Sequence, residues 1–182
     1  MLFDVMKKLF VLFALAGAIQ ASAQTGYKID IVVKGLKDTT AFLGYYYGEQ
    51  AFLRDTAKVN SAGAFTFDGG KPLNQGVYFV ALAQTPILDL VVSQDQTFSL
   101  QTSKEDYIGA MKVSGDVDNE LFYQNMNFNK ARNAEAEPFV KILKDSTLTE
   151  DQKKTAREGF KTINERVLAH QKELIEKHPQ TL

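Results

Sequence analysis

The sequence predicts a mainly β protein: an antiparallel β-sandwich of about eight short strands, followed by a C-terminal α-helical hairpin. Three observations lead there. Apolar and polar side chains alternate over much of Tyr27 to Gly115, the period of a strand with one wet face. Glycine, proline, asparagine and aspartate interrupt that stretch at intervals of roughly 8–12 residues, the spacing of an all-β fold. After Gly115 the period becomes helical and stays so almost to the end.

At the start, Lys7 and Lys8 precede an apolar run from Leu9 to Ala18 and the small-x-small sequence Ala21-Ser22-Ala23. That is the pattern of a secretory signal peptide over residues 1–23, with an apolar run too short for a membrane span. The expectation is export to the periplasm or cell envelope, with no stable membrane insertion after cleavage.

The β-sandwich is expected over residues 24–115. Tyr27, Ile29, Ile31 and Val33 alternate with Lys28, Asp30 and Lys34 in the first strand. Thr40 to Tyr47 and Phe52 to Val59 read as the second and third. Asn60-Ser61-Ala62-Gly63 has the composition of a short hairpin loop, with Gly63 free to take positive φ. Phe65 and Phe67 share one face of the next strand, which Asp68-Gly69-Gly70 and Lys71-Pro72 end. Gly76 to Ala83 and Ile87 to Val92 are more continuously apolar, as expected of central strands covered on both sides. Gln96 to Thr102 and Ala110 to Ser114 complete the set.

The helical segment is expected over residues 116–182. Asp116 or Asp118 caps a helix that carries Leu121, Phe122 and Met126. Pro138 is expected to start a fresh helical turn, since proline is tolerated at the first helical position. Thr149-x-x-Gln152 is a capping box. Beyond it Ala156, Phe160, Ile163, Val167, His170 and Leu174 form one stripe, until Pro179 ends the helix. The stripe needs a cover: the sheet, the partner helix, or a part of the protein outside this chain. A homodimer through this tail is a further expectation.

Composition narrows the chemistry. The formal charge of −1 becomes −2 without Lys7, Lys8 and Asp4, and no basic run exists to hold nucleic acid. No cysteine is present, which excludes a disulfide, a thiolate nucleophile, a Cys-x-x-Cys pair and a cysteine-borne lipid anchor. His170 and His178 stand eight apart, where helical metal pairs sit three or four apart. His170 falls on the apolar stripe, the place of a packed histidine. No Gly-x-Ser-x-Gly elbow or phosphate loop is present. Neither a catalytic constellation nor a cofactor or metal site is therefore expected.

Glu49, Asp55, Asp68, Asp89 and Asp95 are acids enough for a hydrolase, but most fall where turns and wet strand faces place acids anyway. Tyr45, Tyr46 and Tyr47, with Arg54 and Asp55, are the candidate ligand or partner surface. Side chains alternate along a strand, so Tyr46 must oppose its two neighbours.

"LGYYYGEQAFLRDTAKVNSAGAFTFDGG" with "LNQGVYFVAL", "VVSQDQTFSLQT" and "KVSGDVDNELF" resembles a family known by its position. It is the N-terminal domain of unknown function that precedes the thioredoxin-like domain in exported TlpA-type (AhpC/TSA-like) thiol-disulfide oxidoreductases of Bacteroidetes. The resemblance covers about Tyr27 to Pro179 and rests on turn glycines and strand apolars. It implies a non-catalytic accessory or interaction domain whose partner is protein: its own downstream domain or an envelope protein. The redox cysteines of that family lie in the downstream domain, so none maps onto this sequence. The helical segment would then lead to a thioredoxin-like domain beyond Leu182. The alternative is a carbohydrate or small-ligand binding sandwich that uses the tyrosines.

Overall fold

The alternation near the start becomes strand β1 (Tyr27–Lys34), whose inward residues Tyr27, Ile29, Ile31 and Val33 are all buried. The computed structural model describes residues 26–181, so the predicted signal peptide, residues 1–23, lies outside the described residues. On one flank β1 pairs antiparallel with β4 (Ala64–Gly69), Ile29 opposite Phe67 and Ile31 opposite Phe65. On the other it runs parallel to β7 (Thr97–Ser103), Ile29 opposite Phe98 and Ile31 opposite Leu100. β8 (Lys112–Ser114) adds to the far edge, giving the order β4-β1-β7-β8. Residues directly opposite share a face, so each of these registers brings an apolar side chain inward.

The second sheet is antiparallel throughout. It consists of β2 (Thr39–Tyr47), β3 (Gln50–Val59), β5 (Gly76–Leu82) and β6 (Thr85–Val92), in the order β3-β2-β5-β6. Leu43, Val80, Leu90 and Val92 meet Ile29, Ile31, Phe67 and Leu100 of the first sheet in one core. Stacked sheets sit about 10 Å apart, the depth of two such side-chain layers. The fold is thus the expected sandwich of eight strands, with one parallel pair. The crossover between parallel β1 and β7 contains the whole second sheet and β4.

Two strand expectations need correction. The loop Asn60–Gly63 does not close a ladder: β3 pairs with β2, and β4 pairs with β1. It carries the chain from one sheet to the other. Asn60 Oδ1 accepts the amides of Ala62 and Ala64 at 2.9 and 3.0 Å, while Gly63, at φ +80°, lays its carbonyl on Val33 N. A Cβ on Gly63 would stand 2.1 Å from Val33 O, so the turn needs glycine for space as well as for φ. The apolar run Ile87 to Val92, expected as a central strand, is instead the edge strand β6. Its cover comes from a helix.

That helix is α1 (Val117–Lys144), capped by Asp116, whose side chain accepts Asn119 N at 2.6 Å. It runs through Pro138 without a break, against the expected fresh turn. Packing outweighs the lost backbone bond: Ala136 is buried, and Phe139 sits where α2 (Glu150–Lys177) has Gly159. The capping box of Thr149 and Gln152 forms at the start of α2. The stripe of α2 turns against α1, burying Ala156 and Ile163, so the partner helix is its cover. Each helix is 28 residues, about 42 Å long. The sandwich meets the hairpin chiefly through α1 between Asn119 and Lys130, and the rest of the hairpin stands clear as an arm. No helix among the described residues is long and apolar enough to cross a membrane.

Candidate functional site

The tyrosine triplet divides between two faces. Tyr45 pairs across the sheet with Phe52 and Tyr78 and turns inward, its ring stacked on Phe52 at 5.6 Å and tilted against Tyr78 at 5.8 Å. Tyr46 turns outward onto Phe79, ring centroids 4.8 Å apart, and stays 54% exposed. Gly44 makes this contact feasible, because any Cβ there would lie 2.3 Å from the Phe79 ring. Tyr47, at the strand end, is 79% exposed.

Arg54 and Asp55 are re-aimed by an irregularity. Leu43 pairs with Asp55 and Gly44 with Leu53, so Arg54 is the extra residue of a β-bulge. Asp55 then accepts a hydrogen bond from the Tyr27 hydroxyl of the other sheet at 2.7 Å. The Arg54 guanidinium lies 5.7 Å from the centroid of that same ring, within cation–π range. Burial, and then the Asp55 carboxylate, push the Tyr27 phenol up to about 12. Burial raises Tyr78 too, with Arg54 pulling the other way. Of the five candidates, Tyr45, Arg54 and Asp55 are gathered around Tyr27 and Tyr78. Tyr46 and Tyr47 are not.

The opposite long side of the sandwich, between β6 and β8, holds what the sequence did not disclose. An edge strand presents every second residue's N–H and C=O outward, unpaired. Here α1 meets them. Asn119 Oδ1 accepts Val91 N at 2.8 Å, and its Nδ2 donates to Val91 O at 2.7 Å, so the carboxamide acts as a neighbouring peptide group. One turn on, the Tyr123 hydroxyl donates to Asp89 O at 2.6 Å. Four helical residues rise about 6 Å and two strand residues about 6.8 Å, so the two spacings match. Gln96 repeats the device inside the fold, bonding both backbone groups of Leu73. Nothing in the residue types marks them, since Asn and Gln are usually exposed. The one readable signal was the Asp116-x-x-Asn119 cap.

Beside these bonds lies a groove of about 420 Å³ between β6, the turn Glu105–Ile108 and α1. Asp89, Tyr107, Tyr123 and Met126 line it, with the Lys130–Asp106 ion pair (2.5 Å) at its rim. Burial pushes the Asp89 carboxyl above the usual carboxylate range and, with Asp89 nearby, strongly raises the Tyr123 phenol. Asp106 is held low by Lys130 and the Gly109 amide.

A paired-carboxylate site through Asp55 and Asp89 is not formed. They occupy opposite edge strands, about 14 Å apart by strand spacing, and point to opposite faces. Glycoside hydrolysis needs roughly 5–9.5 Å. His170 is packed, its ring 3.8 Å from that of Phe128, and His178 terminates α2 through a bond from its amide to Leu174 O. Among the described residues no three His, Cys, Asp or Glu are grouped as for a metal ion. No protein-family model, no curated protein and no solved structure matches this chain.

Proposed function

We propose that this is a non-catalytic interaction module of an exported thiol-disulfide oxidoreductase system, presenting a partner protein through its helical arm. One observation supports the reading: α1 is bonded to the sandwich over its first half, while its second half runs on beyond those bonds, and α2, packed along α1, turns its other face outward. A rigid sandwich that projects a helical hairpin supplies a positioned docking surface, and α2 exposes Leu168 on it. The identity of the partner, a thioredoxin-like domain, rests on the sequence resemblance. That the stripe of α2 is already covered by α1 removes one argument for a missing cover, so the partner is assigned to the outer face.

The test is cross-linking in the native envelope through the arm lysines Lys161 and Lys172, followed by intact mass and thiol titration. A species carrying a thioredoxin-like domain, fused or cross-linked, is the expected result. Only thiol-free monomer of residues 24–182 would end the proposal. The carbohydrate alternative keeps one supporting feature, the half-exposed Tyr46 ring on Phe79. It requires a glycan that raises Tm, by mass action on the folded state, and loses that effect in Tyr46→Ala.

A further inference from the structure

Asp89 differs from the other acids of its groove. Glu105 accepts Ser103 Oγ at 2.8 Å, and Asp106 holds Lys130 and the Gly109 amide. The Asp89 carboxylate has no hydrogen-bond or ion-pair partner among the described residues, although it is partly buried. A partly desolvated carboxylate without a counter-charge is costly, and it is ordinarily found paired. Its surroundings are otherwise apolar or aromatic: Pro86, Ile87, Tyr107, Tyr123 and Met126. The single lining cation, Lys130, is already committed to Asp106. The groove thus combines a negative excess with rings and a thioether, at a volume suited to a small ligand.

We infer that the groove is a binding site for a primary ammonium group on an apolar stem, with Asp89 as the counter-ion. The ammonium pairs with Asp89, and the stem lies along Ile87, Met126 and the Tyr107 ring. Tyrosine faces add cation–π attraction for the same charge. This chemistry is offered by a free alkyl- or arylamine and by a lysine side chain of a polypeptide. The inference is independent of the helical-arm reading, because no residue of the distal hairpin lines the groove.

The experiment is an NMR titration of the 15N-labelled protein with benzylamine, with its neutral counterpart benzyl alcohol, and with Nα-acetyl-lysine methylamide. Benzylamine is expected to shift the amides of Ile87–Asp89 and Tyr107–Ile108, at least tenfold tighter than benzyl alcohol. Asp89→Asn is expected to abolish that preference; its carboxylate makes no internal bond, so the fold survives the change. A matching response to the lysine derivative assigns the site to a protein side chain, and its absence beside a benzylamine response assigns it to a free amine. Equal shifts from benzylamine and benzyl alcohol, no shift from either, or a preference retained in Asp89→Asn overturns the inference.

Discussion

The two long sides of the sandwich are closed in different ways. On the β3/β4 side the chain closes the gap itself: the Asn60–Gly63 turn crosses between sheets, and a single hydroxyl bond, Tyr27 to Asp55, spans them. On the β6/β8 side the short link Ser93–Gln96 carries the chain from β6 to β7, inside the β8 edge, and the outward backbone of the β6 edge is met by side chains of a helix that follows all eight strands in the chain. Covalent continuity makes the first seam inexpensive in loop entropy. The second seam has a short link of its own but leans as well on a few buried polar bonds between α1 and the β6 edge. A helix laid along the β6 edge leaves a groove beside it.

The largest predicted effect belongs to the β6/β8 seam. Asn119→Leu keeps the volume but strands both backbone groups of Val91 in a buried place. Each such group costs about 1–3 kcal/mol, so urea denaturation should show a loss of about 2–6 kcal/mol. A loss under about 1 kcal/mol would mean that α1 does not hold the β6 edge. The counterpart on the β3/β4 seam is Gly63→Ala. Positive φ and the 2.1 Å approach to Val33 O together predict a loss of about 1–3 kcal/mol. If Gly63→Ala proved the worse of the two, the comparison would reverse.

Removing one hydroxyl from each seam sharpens the contrast. Tyr123→Phe leaves Asp89 O without its donor beneath a helix, for about 1–2 kcal/mol. Tyr27→Phe releases Asp55, which lies at an edge where water can replace the bond, so the cost is about 1 kcal/mol or less. Equal losses would show that both hydroxyls are comparably dry.

Most strands were legible in the sequence because alternation is set by the pleat, and most inward residues, Asp55 and Thr102 apart, are apolar. The sandwich and the hairpin follow from those periods. What was not legible depends on contacts between distant segments. The run Ile87–Val92 looks the same whether a strand or a helix covers it, so edge and centre were confused. Pro138 announces a helix start by local preference, yet the packing of Ala136 and Phe139 on α2 carries the helix through it. In the candidate site, alternation correctly separated Tyr46 from Tyr45. The bulge at Arg54 has no sequence signature, so its convergence with Asp55 on Tyr27 became visible only in three dimensions.

Burial has pushed acids upward at both seams, and two of them, Tyr27 and Asp89, differ in pH window. For Tyr27 the folded value, about 12, lies above the free phenol's 10.0. The native state therefore binds more protons across that interval, and stability falls as pH rises from about 10 to about 12. Tyr27→Phe should flatten that alkaline fall. For Asp89 the folded value lies above 3.8, so stability falls as pH rises through the acid range just above it, and the deficit persists at neutral pH. Asp89→Asn should then give a small rise in Tm at pH 7 that vanishes below about pH 3.8, the reverse of what loss of a stabilising ion pair would do. A fall in Tm at pH 7 would mean that Asp89 is already paired in the free protein. The Asp89 groove would then belong with the Tyr27–Asp55 contact, as a seam that completes itself.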